Sequence, residues 1–364
     1  MPSPILTVDE IFEAYLNCRR HKRSAETAIE FERNLSSNIM RIHDEVNAQT
    51  WKPGGHMCFV VRNPKPREVW ASQFADRVVH HVAYNRLRPR FEPYWIATSF
   101  ACIPGRGTGE GKRWAEQSVR KVTQHWSQKA FVLQMDIANF FPRIIRSELH
   151  ATLSARCHEP WLKYLIDEIV NVDVTINAHL PGDRSLFRLI PKHKSLWWAE
   201  PDRGLPIGNL TSQFGANVRL DSLDQPMVRS GVVAHYGRYV DDIVMMDQVI
   251  DRLREAYRMA VKILTQLGHE LHPHKTRCKP ADAGFDFCGH YHLPYRTYLR
   301  RRTAKQGTKA ARSIKRNPHP AETMSSYLGM ARHCDTYNLR RKWNRSTWSS
   351  LRMTHNLTRA RAIV

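Results

Sequence analysis

The sequence is short of acid, has no paired-cysteine pattern and contains no long apolar run. Only 34 Asp and Glu stand against 56 Lys and Arg in 364 residues, a formal net charge of +22. So lopsided a balance argues against an ordinary solvated surface and points to a polyanionic partner, nucleic acid first. No apolar run approaches the ~20 residues of a membrane-spanning helix. The N-terminal "MPSPILTVDEIFEAYLNCRR" lacks a basic stretch followed by an apolar one, so no secretory leader is expected. The seven cysteines, Cys18, Cys58, Cys102, Cys157, Cys278, Cys288 and Cys334, are odd in number and scattered, with no C-x-x-C pair. That excludes a disulfide framework and favours reduced thiols in the cytoplasm. Repeats, heptads and low-complexity tracts are also missing.

What is present reads as alternating helices and short strands. Residues 5–50 place Ile11, Tyr15, Ile29, Phe31, Leu35, Ile39 and Ile42 at helical steps among charges, which predicts amphipathic helices. "MCFVVRNPKPREVWA" predicts two strands about a Pro-punctuated turn bearing Arg62, Lys65 and Arg67. "QFADRVVHHVAYNRLRPRF", from Gln73 to Phe91, has helical spacing. A glycine-rich loop, "SFACIPGRGTGEG", leads into another helix. "KAFVLQMDIANFFPRI" predicts a buried strand that ends in Asp136, and a helix follows from about Glu148 to Val170. Residues 171–203 lack clean periodicity and are expected to form an inserted hairpin or loop. Helices are also expected up to Met227, over 251–267 and from Met324 to Trp343, with "FDFCGHYH" as one short strand.

The chemistry is concentrated in "YGRYVDDIVMM", Tyr236 to Met246. A hairpin here puts Asp241 and Asp242 at its tip while the flanking apolar residues enter the core. Adjacent carboxylates at such a place call for a cation, and hard divalent ions take oxygen ligands. Asp136 ends a second apolar strand, so two strands can deliver three carboxylates to one place, as two-metal phosphoryl transfer requires. An ordinary polar Asp-Asp turn explains the dipeptide alone but not its company. His269, His272, His274 and Cys278 are close in sequence, yet their spacing matches no standard zinc site.

"DIANFF", "GLPIGNLTSQ", "RYVDDIVMM", "HPHKT" and "FDFCGHY" occur in the order of the palm motifs of reverse transcriptases, and the chain resembles that family from about residue 10 to residue 343. The resemblance implies an α+β right-hand polymerase fold in which an antiparallel palm sheet carries the catalytic aspartates. Its boundaries would be residues 1–128 for an N-terminal helical segment and fingers, 129–293 for a palm with 171–203 inserted, and 294–364 for a basic thumb and C-terminal helices. Asp136, Asp241 and Asp242 would be the catalytic carboxylates and hold two Mg²⁺ ions, with Mn²⁺ as the alternative metal. Phe141 matches the aromatic that excludes a 2′ hydroxyl, whereas Phe140 reads as core. Lys65 and Arg67 match a clamp on the incoming triphosphate, against a simple solvated charge run, and Lys275 a lysine near the leaving phosphates. Ile207, Gly208 and Gln213 belong to the block beneath the nascent pair. Arg77 and Arg106 are template-side candidates. Cys288 and Gly289 match the primer grip, and Arg301 and Lys309 lie on the thumb surface along the duplex backbone, where cations bind phosphate without reading sequence.

The block beginning at Ile207 has isoleucine where group II intron and retron enzymes carry glutamine, and in this it resembles the reverse transcriptases of diversity-generating retroelements. Loss of a hydrogen-bonding restraint on the pair should lower discrimination, and in that family the expected errors fall opposite template adenines. The N-terminal segment and "YLGMARHCDTYNL" resemble the same group, no "VTG" retron signature is seen, and the chain ends too soon after the thumb for maturase domains. The implied partners are an RNA template, a cDNA or primer strand, dNTPs, a small basic accessory protein and a structured element RNA, with no membrane. Residues 171–203 exceed the expected length, which keeps an antiviral-defence or solitary reverse transcriptase as the alternative. A non-catalytic RNA-binding protein of polymerase fold has no use for clustered repelling carboxylates. An RNA-synthesising polymerase is opposed by Phe141.

Overall fold

The computed structural model describes residues 5–20, 22–62, 65–317 and 319–347. It divides into two compact units, one of Met1–Ala97, Ile137–Ser230 and Tyr257–His272, the other of Thr98–Asp136, Gly231–Ala256 and Pro273–Val364.

In the first unit the expected N-terminal helices are Val8–Arg19, Glu26–Arg33 and Leu35–Asn47. The first begins in a capping box, with Thr7 and Glu10 satisfying each other's backbone donors. Its apolar stripe, Ile11, Ala14, Tyr15 and Cys18, packs on helix Phe74–Phe91, whose Val78, Val79, Val82 and Leu87 are buried. That helix also meets Leu210–Arg229, where the Phe214 ring sits among Tyr84, Phe91 and Trp95 at centroid distances of 5.6, 5.8 and 5.5 Å. Burying a side chain of this size stabilises by about 1.5–3 kcal/mol.

Strands β1 (His56–Val61) and β2 (Arg67–Ser72) form the expected antiparallel hairpin, with His56 opposite Ser72 and Val61 opposite Arg67. Residues 171–203 are not a hairpin. They fold as short 3₁₀ turns, Arg184–Leu189, Lys192–Lys194 and Leu196–Trp198, laid against β1–β2. Pro181 and Pro191 remove donors that a ladder needs, while the Asp183 and Ser195 side chains cap the turns by accepting from Ser185 and Trp197. Strand-like pairing is confined to isolated bridges: Arg203 pairs with Ile145, and the His179 carbonyl accepts from Cys58 at 2.8 Å while its N–H donates to His56 at 2.9 Å. Cys58, Trp70 and Val174 make a small core beneath the turns.

The second unit holds two antiparallel sheets. In the first, β3 (Phe131–Asp136), β4 (His235–Tyr239), β5 (Asp242–Asp247) and β6 (Arg277–Pro280) lie in the order β4-β5-β3-β6. Ile243 to Met246 of β5 are all buried, as suits a strand with neighbours on both edges and both faces covered. Helix Thr108–Val122 contributes Ala115, Val119 and Val122 to a core with Phe100, Val132, Val244, Met246, Phe285 and Phe287. "FDFCGHYH" is not one strand. It folds as β7 (Phe285–Phe287) and β8 (His290–Leu293) about a turn at Cys288 and Gly289, whose φ angles are 49° and 81°. Positive φ at both central residues is what a two-residue hairpin demands. β9 (Arg296–Leu299) completes this sheet, in the order β7-β8-β9. Helices Arg301–Arg312 and Pro320–Arg332, with helical residues 337–347, close over Leu299, Ala311, Met324 and Trp343. Helices and antiparallel sheets together give the expected α+β class.

Gly237 of β4 leaves no room for a side chain, since an added Cβ would lie 2.4 Å from the Trp114 ring. Gly237→Ala should therefore destabilise the second unit by about 1–3 kcal/mol, read as an earlier urea midpoint. An unchanged midpoint would contradict this packing.

Candidate active site

The β3–β5 register sets the site. Met135 stands opposite Ile243, and Asp136 opposite Asp242. Both strands enter the core as apolar runs and end in carboxylates at the same edge. β4 and β5 are joined through Val240 and Asp241, with Tyr239 opposite Asp242, so Asp241 occupies the turn and Asp242 is already the first residue of a strand. Val240 has φ 53°, a left-handed conformation that a β-branched residue adopts only under constraint from its surroundings.

The constraint comes from Arg238, which is 1% exposed. Its guanidinium donates to the Val240 carbonyl at 3.1 Å and to Ser99 Oγ at 3.0 Å. Its backbone N–H donates to Thr98 and its carbonyl accepts from Phe100, each at 3.0 Å. The sequence reading missed Arg238. The available signal was a lone cation at a position where the strand alternation points inward. Arg106 joins the same network, donating to the Ser99 carbonyl at 3.2 Å.

Burial, with the Asp241 and Asp136 carboxylates beside it, pushes the Asp242 carboxyl up to about 7. Asp136 forms an ion pair with Lys275, whose Nζ lies 2.5 Å from Oδ1. Arg300 acts on Asp242 in the opposite sense and pairs with Asp286 at 2.6 Å. Cys288 is buried near Asp242, and burial first, then that carboxylate, drives its thiol far above the ordinary range. The Gly289 carbonyl accepts from Arg300 at 3.0 Å. The second unit thus gathers Asp136, Asp241, Asp242, Lys275 and the Cys288–Gly289 turn. Arg301 and Lys309 lie apart on helix Arg301–Arg312, lining an open groove of about 860 Å³ with Lys305, Arg312 and Arg316.

In the first unit the Ile207 block is clamped to the hairpin. The Ile207 carbonyl accepts from the Trp70 N–H at 2.8 Å. Gly208 has φ 135°, and a Cβ there would lie 2.5 Å from the Trp70 carbonyl oxygen. Ser72 Oγ donates to Asn209 Oδ1 at 3.0 Å, and Arg77 Nε to the Ser72 carbonyl at 2.8 Å. His80 and Thr211 are bonded at 2.6 Å. Burial, then neighbouring cationic groups, lowers His80 to about 3, so its ring stays neutral. Gln213 lies in the first turn of Leu210–Arg229 and bonds back to Asn209. Phe140 is buried, as expected, and packs on His269 at 4.9 Å, whereas Phe141 is half-buried. The Phe141 carbonyl accepts from Leu205 at 3.0 Å, which draws Phe141 toward the same block. Lys65 and Arg67 are exposed at the outer end of the hairpin.

A family model described as reverse transcriptase (RNA-dependent DNA polymerase) matches residues 62–292, and the chain belongs to that family. It has the family's right-hand polymerase fold. No curated protein matches it. Among solved structures it is similar to telomerase from Candida albicans in complex with a fragment of telomeric RNA, at 10% identity and a TM-score of 0.47, over 84% of this chain. The chain spans 56% of that one's length.

Reverse transcriptase domains use divalent metal ions. Among the described residues no three His, Cys, Asp or Glu side chains already converge on an ion position. The donors nonetheless suit one, because hard oxygen ligands are crowded at one sheet edge with a repulsion that lifts Asp242, and one of them already attracts the Lys275 ammonium.

The raised Asp242 carboxyl has a defined consequence for stability. A group whose folded pKa exceeds its unfolded value of ~4 favours the fold below that value, and the advantage disappears as pH rises through about 7. Without divalent metal, Asp242→Asn should therefore be more stable than the parent at pH 8 and keep only about one third of that margin at pH 5, a single pH unit above the unfolded value. Urea titration at both pH values checks this, and equal stability at pH 8 would contradict the repulsion.

Proposed function

We propose that the chain copies RNA into cDNA by two-metal nucleotidyl transfer, and that it does so with errors concentrated opposite template adenines, as in diversity-generating retroelements. The observation that carries the chemistry is the register of Asp136 with Asp242, with Asp241 in the constrained turn beside them. Bound divalent ions would supply charge neutralisation at the primer 3′ hydroxyl and at the triphosphate. Asp136, Asp241 and Asp242 hold them in this reading, with Mg²⁺ as the metal and Mn²⁺ its alternative. Lys275 exchanges its carboxylate partner for the leaving phosphates. Lys65 and Arg67 grip the triphosphate, the latter as a two-pronged donor. Phe141 excludes the 2′ hydroxyl.

Residues 1–128, 129–293 and 294–364 serve as fingers, palm and thumb. Arg77 and Arg106 face the template, Cys288 and Gly289 support the primer end, and Arg301 and Lys309 hold phosphates. Ile207 supports the mutagenic reading, since its aliphatic side chain offers the nascent pair no hydrogen bond while its backbone is fixed to Trp70. Gly208 and Gln213 complete that block. A structured element RNA and a small basic accessory protein are the partners this reading implies. Among the described residues no helix is long and apolar enough to cross a membrane, and all seven thiols are free, which supports a cytoplasmic setting. The turns at 184–198, foreign to the expected palm, favour the second reading, a defence or solitary enzyme with the same chemistry.

With a primed RNA template, Mg²⁺ and dNTPs, extension should fall at least ~10³-fold in Asp241→Ala, about 4 kcal/mol of lost transition-state stabilisation. Phe141→Ala should admit NTPs. Ile207→Gln should reduce misincorporation opposite adenine in sequenced cDNA. Accurate cDNA from the parent would defeat the mutagenic reading and leave the defence or solitary one, while failure to extend even with co-purified RNA would defeat the polymerase reading itself.

A further inference from the structure

The turns at residues 184–198 have no part in the chemistry described, yet their surface is strongly patterned. Arg184, Arg188, Lys192 and Lys194 fall within those fifteen residues, without one carboxylate. All four are exposed, as is His193. The two adjacent tryptophans divide the work between them. Trp197 packs on Trp70 of the hairpin at 5.4 Å and fastens the segment, as does the Leu196 N–H donated to Glu68 at 3.1 Å. Trp198 turns outward, 63% exposed, with the Lys192 ammonium 4.2 Å from its ring centroid. Arg62 of the hairpin, also exposed, is close enough to act on the Asp183 carboxyl and so extends the basic surface beyond the turns.

A lone exposed aromatic needs no explanation. One mounted on a fixed turn among four cations, with no acid between them, has the makings of a single-strand site, because every base has a face that stacks and every linkage a phosphate. We infer that residues 184–198 bind single-stranded RNA irrespective of sequence, Trp198 stacking a base while Arg184, Arg188, Lys192 and Lys194 hold the flanking phosphates. The inference rests on the polymerase reading for the identity of the strand as RNA, but not for the platform itself.

Its test measures binding of a 20-nucleotide mixed-sequence single-stranded RNA, the matching duplex and the matching single-stranded DNA to the full chain by anisotropy at several salt concentrations. Trp198→Ala should weaken single-stranded RNA binding about five-fold or more, one stack's worth, while Trp198→Phe retains most of the affinity. Arg188→Gln with Lys192→Gln and Lys194→Gln should lower the salt slope by about 2, at ~0.7 per phosphate. Duplex binding and extension of a primer already annealed should be unchanged. Unaltered RNA affinity in Trp198→Ala, an equal loss on duplex, a preference for the DNA strand, or loss only of binding to an acidic protein would each overturn the inference. If the parent fails to extend a primer yet Trp198→Ala still loses RNA affinity, the polymerase reading falls and the platform stands.

Discussion

Everything at the centre of this fold depends on holding like charges together. Asp136, Asp241 and Asp242 lie at one edge of an antiparallel sheet, and Asp242 is driven toward neutrality by burial and by its neighbours. Such a grouping survives only where the surrounding structure over-determines it. Here the restraint is mechanical as well as electrostatic. A buried guanidinium fixes the Val240 carbonyl, the register of two apolar strands fixes the strand ends, and Lys275 supplies one compensating charge. The arrangement costs stability, and Lys275 and Arg300 offset part of that cost.

The two units put different physics to use. In the second, a dense apolar core of aromatic and β-branched residues holds the sheet so that its polar edge can be strained. In the first, polar contacts do the positioning. The Ile207 block, the hairpin and helix Phe74–Phe91 are tied through backbone bonds to Trp70 and through Ser72, Asn209, Thr211 and a neutral His80. Buried polar networks of this kind specify geometry more than they add stability.

Much of this was legible in the sequence, and for identifiable reasons. β3 announced itself as an apolar run ending in aspartate, β5 as an apolar run led by the aspartate pair, and the helix Phe74–Phe91 by its spacing. The placement of Phe140 in the core and the pairing of β1 with β2 were also readable. Three features were not. Arg238 went unread, because Thr98, Ser99 and Phe100, which anchor it, are distant in sequence. "FDFCGHYH" looked continuous, since nothing but a Cys-Gly pair marks a turn that requires positive φ twice. Residues 171–203 have no period at all, being shaped by prolines, side-chain caps and contact with Trp70, which only a folded hairpin provides.

The contact between Gly208 and Trp70 has a wider consequence. With an added methyl group 2.5 Å from a backbone oxygen, the block and the hairpin are one interlocked part. Transplanting the Ile207 block alone into another polymerase would carry its letters without its fit. A chimera intended to transmit its copying behaviour must exchange residues 56–72 along with it, and divergent relatives should be expected to change the two segments in concert.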